Sequence, residues 1–290
     1  MELRTLRYFL AVAREENMTE AANVLHVTQP TLSRQIADLE RELGVALFDR
    51  TNRACVLTGD GMRLRQRAEE ILSLVEQTEA ELADDEHELA GNIRIGAGET
   101  QAMGHILNTF AALRRDNPGV TCELFTGNAD AVEERLERGL LDFALLIEPV
   151  NLDKYEWLEM PGADTVGAAV AASSEWGRLA GLTPADIARM PLLLSSRTSN
   201  KAIDLVEWSG GAIDPERLNV VGRFDLLGNA SHLVRSGAAC AMGIDHLLQL
   251  ESADLTFVPL DPPMTIKSFL VWKKYRLRSR ACEEFLRRLG

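Results

Sequence analysis

Apolar residues recur at helical spacing between Asn17 and Gly44 and predict two helices joined by a short turn. Thr19 is expected to cap the first helix and Thr28 the second, in which Pro30 occupies the first turn, where a missing N–H is harmless. Gly44 follows the second helix in the position that favours glycine. The apolar stripe of the second helix consists of Leu32, Ile36, Leu39 and Leu43. This pattern is typical of a helix-turn-helix.

The face opposite that stripe carries side chains that can reach base edges and phosphates, and arginine is the commonest reader of guanine. The candidate DNA-contacting residues on and beside this face are Thr19, Thr28, Gln29, Pro30, Thr31, Ser33, Arg34 and Gln35. The stripe alone fits an ordinary surface helix of a small helical bundle equally well. The short first helix, the tight turn and the capped second helix together favour DNA binding.

The flanking segments complete a winged helix. Residues 3–13 carry apolar side chains at helical spacing and predict a third helix upstream. Downstream, the apolar runs at residues 45–50 and 54–57 flank a polar tip and predict a hairpin, the wing. Arg50 and Arg53 are placed on this wing to meet phosphate.

The N-terminal motifs resemble those of the LysR-type transcriptional regulators. The matching motifs are Leu6-x-x-Phe9, Ala21-Ala22, Val27-Thr28-Gln29-Pro30, Ser33-Arg34-Gln35-Ile36, Leu39-Glu40, Leu43-Gly44, Leu47-Phe48-x-Arg50 and Leu57-Thr58-x-x-Gly61. The resemblance implies an N-terminal winged helix-turn-helix, a long linker helix and a C-terminal two-lobed, periplasmic-binding-protein-like effector domain of α/β class. It also implies sequence-specific binding of double-stranded promoter DNA by a homo-oligomer (dimer or tetramer), with promoter activity controlled by a small-molecule effector. RNA polymerase is expected as a further partner.

The net charge of −13, taken alone, argues against DNA binding. Affinity for DNA comes largely from basic side chains that neutralise phosphates. The acidic excess, however, is concentrated in residues 76–88, whereas basic side chains follow the predicted wing. These basic residues are Arg63, Arg65 and Arg67. The alternative that the charge leaves open is an interaction module whose winged helix binds protein.

The chain of 290 residues is long enough for two or three compact units. No apolar run approaches the ~20 residues that span a bilayer, and the N-terminus lacks a signal-peptide core. We therefore expect a cytoplasmic protein without a membrane partner. The histidines show no metal-ligand spacing with one another or with the cysteines, so no metal is expected. No cofactor and no catalytic residue are expected either.

Four cysteines are widely spaced and form no C-x-x-C pair: Cys55, Cys122, Cys240 and Cys282. Reduced, mostly buried thiols are the expectation in a cytosolic chain. Some members of the resembled family sense peroxide through a cysteine pair, which leaves redox sensing as the minor alternative.

Residues 60–90 form one long helical pattern, for which Thr58 is a plausible cap. Its apolar positions alternate in steps of three and four, as in a coiled coil. The predicted seam is Leu64, Ala68, Ile71, Val75, Thr78, Leu82, Asp85 and Leu89. The helix could pack on its own domain, but the resemblance favours pairing with its twin in a second subunit. The DNA-binding domain is accordingly assigned to residues 1–59.

Residues 91–290 alternate strand and helix patterns, as expected of doubly wound α/β lobes. The first three predicted strands, at residues 93–97, 120–124 and 143–147, belong to lobe I. Lobe I is assigned to residues 91–161 and 265–290, and lobe II to residues 162–264. Pro149 marks the expected exit of the chain from lobe I.

A ligand is expected between the lobes, because open α/β sheets bind ligands beyond the carboxyl ends of their strands. The candidate effector contacts at these ends are Thr100, Gln101, Thr126, Asn128, Ile147, Glu148, Ser195, Ser196, Arg197, Phe224 and Met242. Hydroxyl groups, an amide and Arg197 suit a carboxylate-bearing or zwitterionic metabolite, with Phe224 as a wall. Glu148 does not suit an anion and would instead meet an amino group.

A rival interpretation rests on residues 96–101, where two glycines follow a strand and open a helix. With Glu123 in the next strand, the segment partly matches the dinucleotide-binding motif G-x-G-x-x-G. The third glycine is replaced by Gln101. A nucleotide-dependent enzyme fused to a helix-turn-helix is therefore the weaker alternative, and we expect no enzyme.

Overall fold

The computed structural model describes residues 1–50, 55–82, 89–196, 203–246 and 254–290. The chain divides into two compact units, Met1–Asp84 and Asp85–Gly290. Each unit has its own hydrophobic clusters and is described by itself.

Unit 1 is a winged helix-turn-helix followed by a long helix, as the sequence predicts. Its elements are α1 (Leu3–Glu15), α2 (Met18–Val24), α3 (Gln29–Leu43), β1 (Phe48–Arg50), β2 (Cys55–Leu57) and α4 (Gly59–Leu82). Strands β1 and β2 pair antiparallel, with Phe48 opposite Leu57. The wing is therefore a hairpin.

The core of unit 1 forms where the apolar faces of α1 and α3 meet. Leu32, Ile36 and Leu39 are fully or almost fully buried, which confirms most of the predicted stripe. Leu43, at the end of the stripe, is 39% exposed and lies outside the core. The Phe9 ring packs on Phe48, with centroids 5.3 Å apart, and so ties the wing to the core.

The helix caps differ in part from the prediction. Asn17, and not Thr19, caps α2, because its Oδ1 accepts the N–H of Thr19 at 2.8 Å. Thr28 does occupy the N-cap of α3, but its hydroxyl bonds the Thr31 hydroxyl at 2.8 Å instead of a backbone N–H. Gly44 adopts a φ of 71° at the C-cap, as predicted.

Helix α4 begins as predicted and continues to Leu82, the last described residue before position 89. The Thr58 hydroxyl accepts the N–H of Gly61 at 3.0 Å and so caps its start. Ala68 is buried in the unit 1 core and Leu64 and Ile71 pack against it, so the first three positions of the predicted seam pack on their own domain. Leu89 is not helical and packs in a core of unit 2, which makes its place on the seam wrong. Asp85 lies outside the described residues, as does the side chain of Leu82.

Unit 2 consists of two α/β lobes. Its strands are β3 (Gly91–Ala97), β4 (Val120–Thr126), β5 (Phe143–Ile147), β6 (Tyr155–Glu159), β7 (Asp164–Ala171), β8 (Leu192–Ser195), β9 (Val220–Phe224), β10 (Cys240–Ile244), β11 (Leu255–Pro259), β12 (Thr265–Ile266) and β13 (Ser268–Lys273). Its helices are α5 (Ala102–Asp116), α6 (Ala129–Glu137), α7 (Pro184–Ile187), α8 (Leu205–Trp208), α9 (Leu227–Arg235) and α10 (Arg280–Leu289). Single 3₁₀ turns occur at Leu152–Lys154, Trp176–Arg178 and Pro215–Arg217.

Lobe I is built on a five-stranded sheet in the order β4-β3-β5-β13-β6. The β4, β3 and β5 strands are parallel, as the alternation of strands and helices predicts, whereas β13 runs antiparallel to its neighbours. Helices α5 and α10 pack in one core cluster of this lobe and α6 in another. Lobe I therefore keeps the carboxyl ends of three parallel strands at one edge.

Lobe II is built on a second sheet in the order β11-β7-β10-β8-β9, with β12 pairing to β7. Strand β10 is parallel to β8 and antiparallel to β7, and β8 is parallel to β9. The largest buried cluster of the described residues covers one face of this sheet. A smaller one on α9 includes Leu227 and Val234.

The chain first crosses between the lobes after β6, near the assigned bound at residue 161 and not at Pro149. It does not leave lobe I at Pro149, because β6 follows and joins the lobe I sheet. Thr265 and Ile266, assigned to lobe I from the sequence, pair with β7 of lobe II. Only Lys267 separates β12 in lobe II from β13 in lobe I.

Candidate functional site

The predicted DNA-contacting residues lie on the accessible surface of unit 1. Six of the predicted DNA contacts on α3 and beside it are exposed: Thr19, Thr28, Gln29, Pro30, Thr31 and Arg34. The other two, Ser33 and Gln35, are half-buried. Arg34 is exposed and forms no ion pair within the part of the chain that the structure describes. Arg53 lies outside the described residues, as does the side chain of Arg50.

Glu40 on α3 positions the wing, a role that sequence reasoning missed. Its Oε1 accepts the N–H groups of Leu47 at 2.9 Å and Phe48 at 3.2 Å. The Thr58 hydroxyl donates to the Ala46 carbonyl at 2.7 Å and closes the base of the hairpin. The spacing between α3 and the wing is thus set by a side chain of α3 itself.

A cavity of about 410 Å³ opens between the two lobes of unit 2. Its volume falls in the usual range of small-molecule sites. Six of the predicted effector contacts line it: Thr100, Asn128, Ile147, Ser195, Phe224 and Met242. The strand ends of both lobes therefore meet as the topology requires.

The other predicted contacts do not line the described wall of this cavity. Gln101 and Thr126 are exposed side chains outside it. Glu148 accepts the backbone N–H of Lys267 at 3.0 Å and so fixes the crossing between the lobes. The Ser196 hydroxyl has a single hydrogen, for which the Phe224 carbonyl and the Asp225 carboxylate are both acceptors, so this side chain is already engaged within lobe II. Arg197 lies outside the described residues.

Glu99 joins the two lobes directly. Its Oε2 accepts the N–H of Leu227 at 2.8 Å, at the first residue of α9. The N-cap residue of that helix, Leu226, has no side-chain oxygen to offer, so Glu99 of lobe I supplies the missing cap. A carboxylate at this end is also favoured by the helix dipole.

A second contact between the lobes joins Asn128 to Asp225. The Nδ2 of Asn128 donates to Oδ1 of Asp225 at 3.1 Å, while its Oδ1 accepts the N–H of Ala131 at 2.9 Å and caps α6. Hydrogen bonds from Ser196 and Asn128 lower the pKa of Asp225, which stays ionised at neutral pH. Asp225 is not among the effector contacts predicted from the sequence.

Asp164 lies behind Thr100 and is 6% exposed. Its Oδ2 accepts the Thr100 hydroxyl at 3.0 Å and the Ser268 hydroxyl at 3.4 Å. Burial raises the pKa of Asp164, an effect that the Thr100 hydrogen bond opposes. A buried carboxyl therefore orients a hydroxyl in the wall of the cavity.

The glycines of residues 96–101 serve packing in lobe I. A Cβ on Gly96 would lie 2.4 Å from Cδ1 of Leu141 and 3.1 Å from Cγ1 of Val132, inside the lobe I core. Glu99, which follows Gly98, adds a negative charge to this segment and accepts the N–H of Leu227, whereas a phosphate-binding loop offers N–H donors to an anion. These observations oppose the dinucleotide interpretation.

The described cysteines do not form a reactive pair. Burial raises the pKa of Cys122, that of Cys240 to about 11 and that of Cys282 to about 12. A buried thiol that stays protonated is a poor nucleophile toward peroxide. No cluster of potential metal ligands occurs among the described residues. No described helix is long and apolar enough to cross a membrane.

Two family models together cover most of the chain. Residues 3–62 match the bacterial regulatory helix-turn-helix protein, lysR family, and residues 86–290 match the LysR substrate binding domain. The chain belongs to the LysR family. It is a transcriptional regulator with a DNA-binding domain and an effector-binding domain, which confirms the resemblance in the N-terminal motifs.

Known relatives and solved structures agree with this membership. The transcriptional regulator BsdA of Bacillus subtilis (strain 168) is 31% identical over 206 residues, which are 70% of each chain. A probable RuBisCO transcriptional regulator of Porphyra purpurea is 28% identical over 301 residues, covering 98% of this chain and 91% of the relative. The crystal structure of CbnR, a LysR family transcriptional regulator, has a TM-score of 0.77 at 22% identity and covers 100% of this chain and 98% of its own. That likeness shows the fold.

Proposed function

We propose that the chain is a homo-oligomeric regulator that binds a specific promoter sequence through α3 and the wing and responds to a small molecule held between the lobes. The observation that carries this proposal is one chain with two sites: an exposed polar face on a recognition helix and a cavity of about 410 Å³. RNA polymerase is the partner through which occupancy would change transcription. We propose a cytoplasmic location and no catalysed reaction.

In the proposed DNA complex, the N-terminal half of α3 enters the major groove and the wing follows the backbone. Gln29 and Arg34 are exposed on the entering face and read base edges, whereas Arg50 and Arg53 neutralise phosphates. With a net charge of −13, the chain has little general attraction to DNA, so direct base contacts carry much of the affinity.

The test uses the operator selected from a random duplex library with the full-length protein. Arg34→Ala is expected to weaken binding to that operator by about 1–3 kcal/mol, the range for a good base contact. Arg14→Ala is the matched control, because Arg14 is exposed and already pairs with Glu15 at 2.8 Å. Equal affinities of the Arg34 variant and the wild type would remove α3 as the reading element.

The alternative function, a winged helix that binds protein, is supported by the negative net charge. Genome-wide mapping of the DNA sites that the protein occupies distinguishes the DNA-binding regulator from the protein-binding module. Discrete DNA sites that disappear in the Arg34→Ala variant support the proposed regulator, whereas recovery of DNA without sequence preference supports the protein-binding module.

The effector acts by binding one arrangement of the lobes, open or closed, more tightly than the other. A ligand with equal affinity for the two arrangements would not change their populations. A thermal-shift screen of a metabolite panel tests this step, because a ligand at 100 times its Kd adds about 2.7 kcal/mol of stability. Thr100→Val should abolish the shift given by a hit, and Thr126→Val should not, because Thr126 is outside the cavity wall. Loss of the shift in both variants, or in neither, would place the ligand elsewhere.

A further inference from the structure

The cavity between the lobes is lined mostly by apolar surface. Side chains from both lobes contribute to this surface, among them Leu145, Ile147, Leu194, Phe224, Met242 and Ile266. A ligand that fills such a space must replace water with apolar contacts, because buried hydrophobic area is the main source of affinity there. The body of the effector is therefore apolar, and the few polar groups of the wall decide which head group it carries.

The hydrogen of the Thr100 hydroxyl is already used in a hydrogen bond within the protein. This single hydrogen goes to Oδ2 of Asp164 at 3.0 Å, and one of the hydroxyl lone pairs accepts the N–H of Ala102 at 3.2 Å. A hydroxyl has one hydrogen and two lone pairs, so Thr100 retains only an acceptor position for a ligand. A carboxylate, which can only accept, gains nothing from it.

The charged groups of the described wall point to the same chemistry. Three of them are carboxylates, Glu99, Asp204 and Asp225, and Arg223 is the guanidinium. Glu99 bonds Leu227, Asp204 bonds the start of α8, and Asp225 bonds Asn128 and Ser196. Each still has lone pairs to offer, since a carboxylate has about four acceptor positions. The Arg223 guanidinium already donates to the Ser195 carbonyl at 3.3 Å. The described wall therefore presents acceptors and negative charge.

From this arrangement we infer that the effector is an apolar molecule with a protonated amine at its head, and that the Thr100–Asp164 pair selects this donor against a carboxylate. This inference rests on the proposed function, because it assigns a ligand class to the effector cavity. The amine would donate to Thr100 and lie among the carboxylates of the wall, where opposite charges attract. Asp164 acts as a positioning residue, since it touches Thr100 and not the ligand.

The experiment compares three probes with one carbon skeleton: 2-phenylethylamine, 2-phenylethanol and phenylacetate. Binding to the full-length protein is measured by thermal shift and by isothermal titration calorimetry at constant ionic strength. The amine is expected to bind most tightly, the alcohol less tightly and phenylacetate least. Phenylacetate binding as tightly as the amine would overturn the inference, and so would the absence of binding by all three.

Two variants test the positioning role through selectivity and not through stability alone. In Asp164→Asn the new amide can donate to Thr100, which frees the Thr100 hydrogen for the ligand. The ratio of amine to carboxylate affinity should fall by about 2- to 10-fold, the value of one net hydrogen bond. Ser268→Ala is the matched control, because it removes the other hydroxyl on Asp164 and leaves the Thr100 bond in place. An unchanged ratio in Asp164→Asn would overturn the role of Asp164.

Failure of this inference is distinguishable from failure of the proposed function. Preference for phenylacetate, abolished by Thr100→Val, would leave the effector cavity in place and reverse only the ligand class. Operator binding lost in Arg34→Ala tests the regulator without any ligand.

Discussion

The bond between Glu99 and the N–H of Leu227 gives a quantitative prediction for the contact between the lobes. At 2.8 Å, this is a charge-assisted hydrogen bond to a helix whose first turn has no cap of its own. Bonds of this kind contribute about 1.5–3 kcal/mol, and the half-buried position of Glu99 favours the lower value of about 1.5 kcal/mol. A unit of this size loses about 2–4 °C in Tm for each kcal/mol, so Glu99→Ala should lower the Tm by about 3–6 °C.

Differential scanning calorimetry measures that shift, and hydrogen exchange at the Leu227 amide reports the bond itself. Glu99→Gln should show about half the loss, since the amide oxygen still accepts but carries no charge. Glu175→Ala is a control of the same residue type on an exposed side chain of lobe II. If Glu99→Ala kept the wild-type Tm and the wild-type exchange rate at Leu227, the reasoning from this contact would be refuted.

Three further predictions concern packing, assembly and pH. Gly96→Ala should destabilise unit 2 by about 1–3 kcal/mol, because its Cβ would lie 2.4 Å from Leu141 Cδ1. Gly104→Ala, in an open helical position, should stabilise unit 2 by about 0.5–1 kcal/mol. Denaturant unfolding of the two variants measures both changes in the free energy of unfolding. Val75→Glu should weaken the oligomer in sedimentation, and an unaltered oligomer would move the subunit contact away from α4. Two arginines of α10 lower the pKa of Glu284 to about 2, so its stabilisation is complete above about pH 4.5 and is lost as the pH falls toward 2. The stability gap between Glu284→Gln and wild type should narrow over that range, and a constant gap would contradict the assignment.

Local patterns made the DNA-binding unit predictable. The stripe of Leu32, Ile36 and Leu39 and the αL glycine at Gly44 depend on neighbours in sequence, and the structure confirms them. The cap of α2 was misplaced by two residues, because Asn17 and Thr19 both offer an oxygen and only the backbone geometry decides between them.

The effector cavity was predictable only in outline. Strand ends located Thr100 and Asn128, because the carboxyl ends of parallel strands share one edge. Glu99 was missed, since its partner Leu227 lies 128 residues away and the missing cap of α9 becomes visible only when the lobes are together. Strand β6 was missed as well, because its charged residues at an exposed edge hide the alternation.

The crossing at Lys267 limits how the lobes can open. Its backbone N–H donates to the Glu148 carboxylate at 3.0 Å, its carbonyl accepts the Glu148 N–H at 3.0 Å, and its ammonium pairs with Glu159 at 2.7 Å. With one residue between β12 and β13, a change in two backbone torsions must serve as the pivot on this side. A ligand that changed the angle between the lobes would have to work against the two hydrogen bonds of Glu148 at this crossing, and the resulting displacement would grow with distance from Lys267.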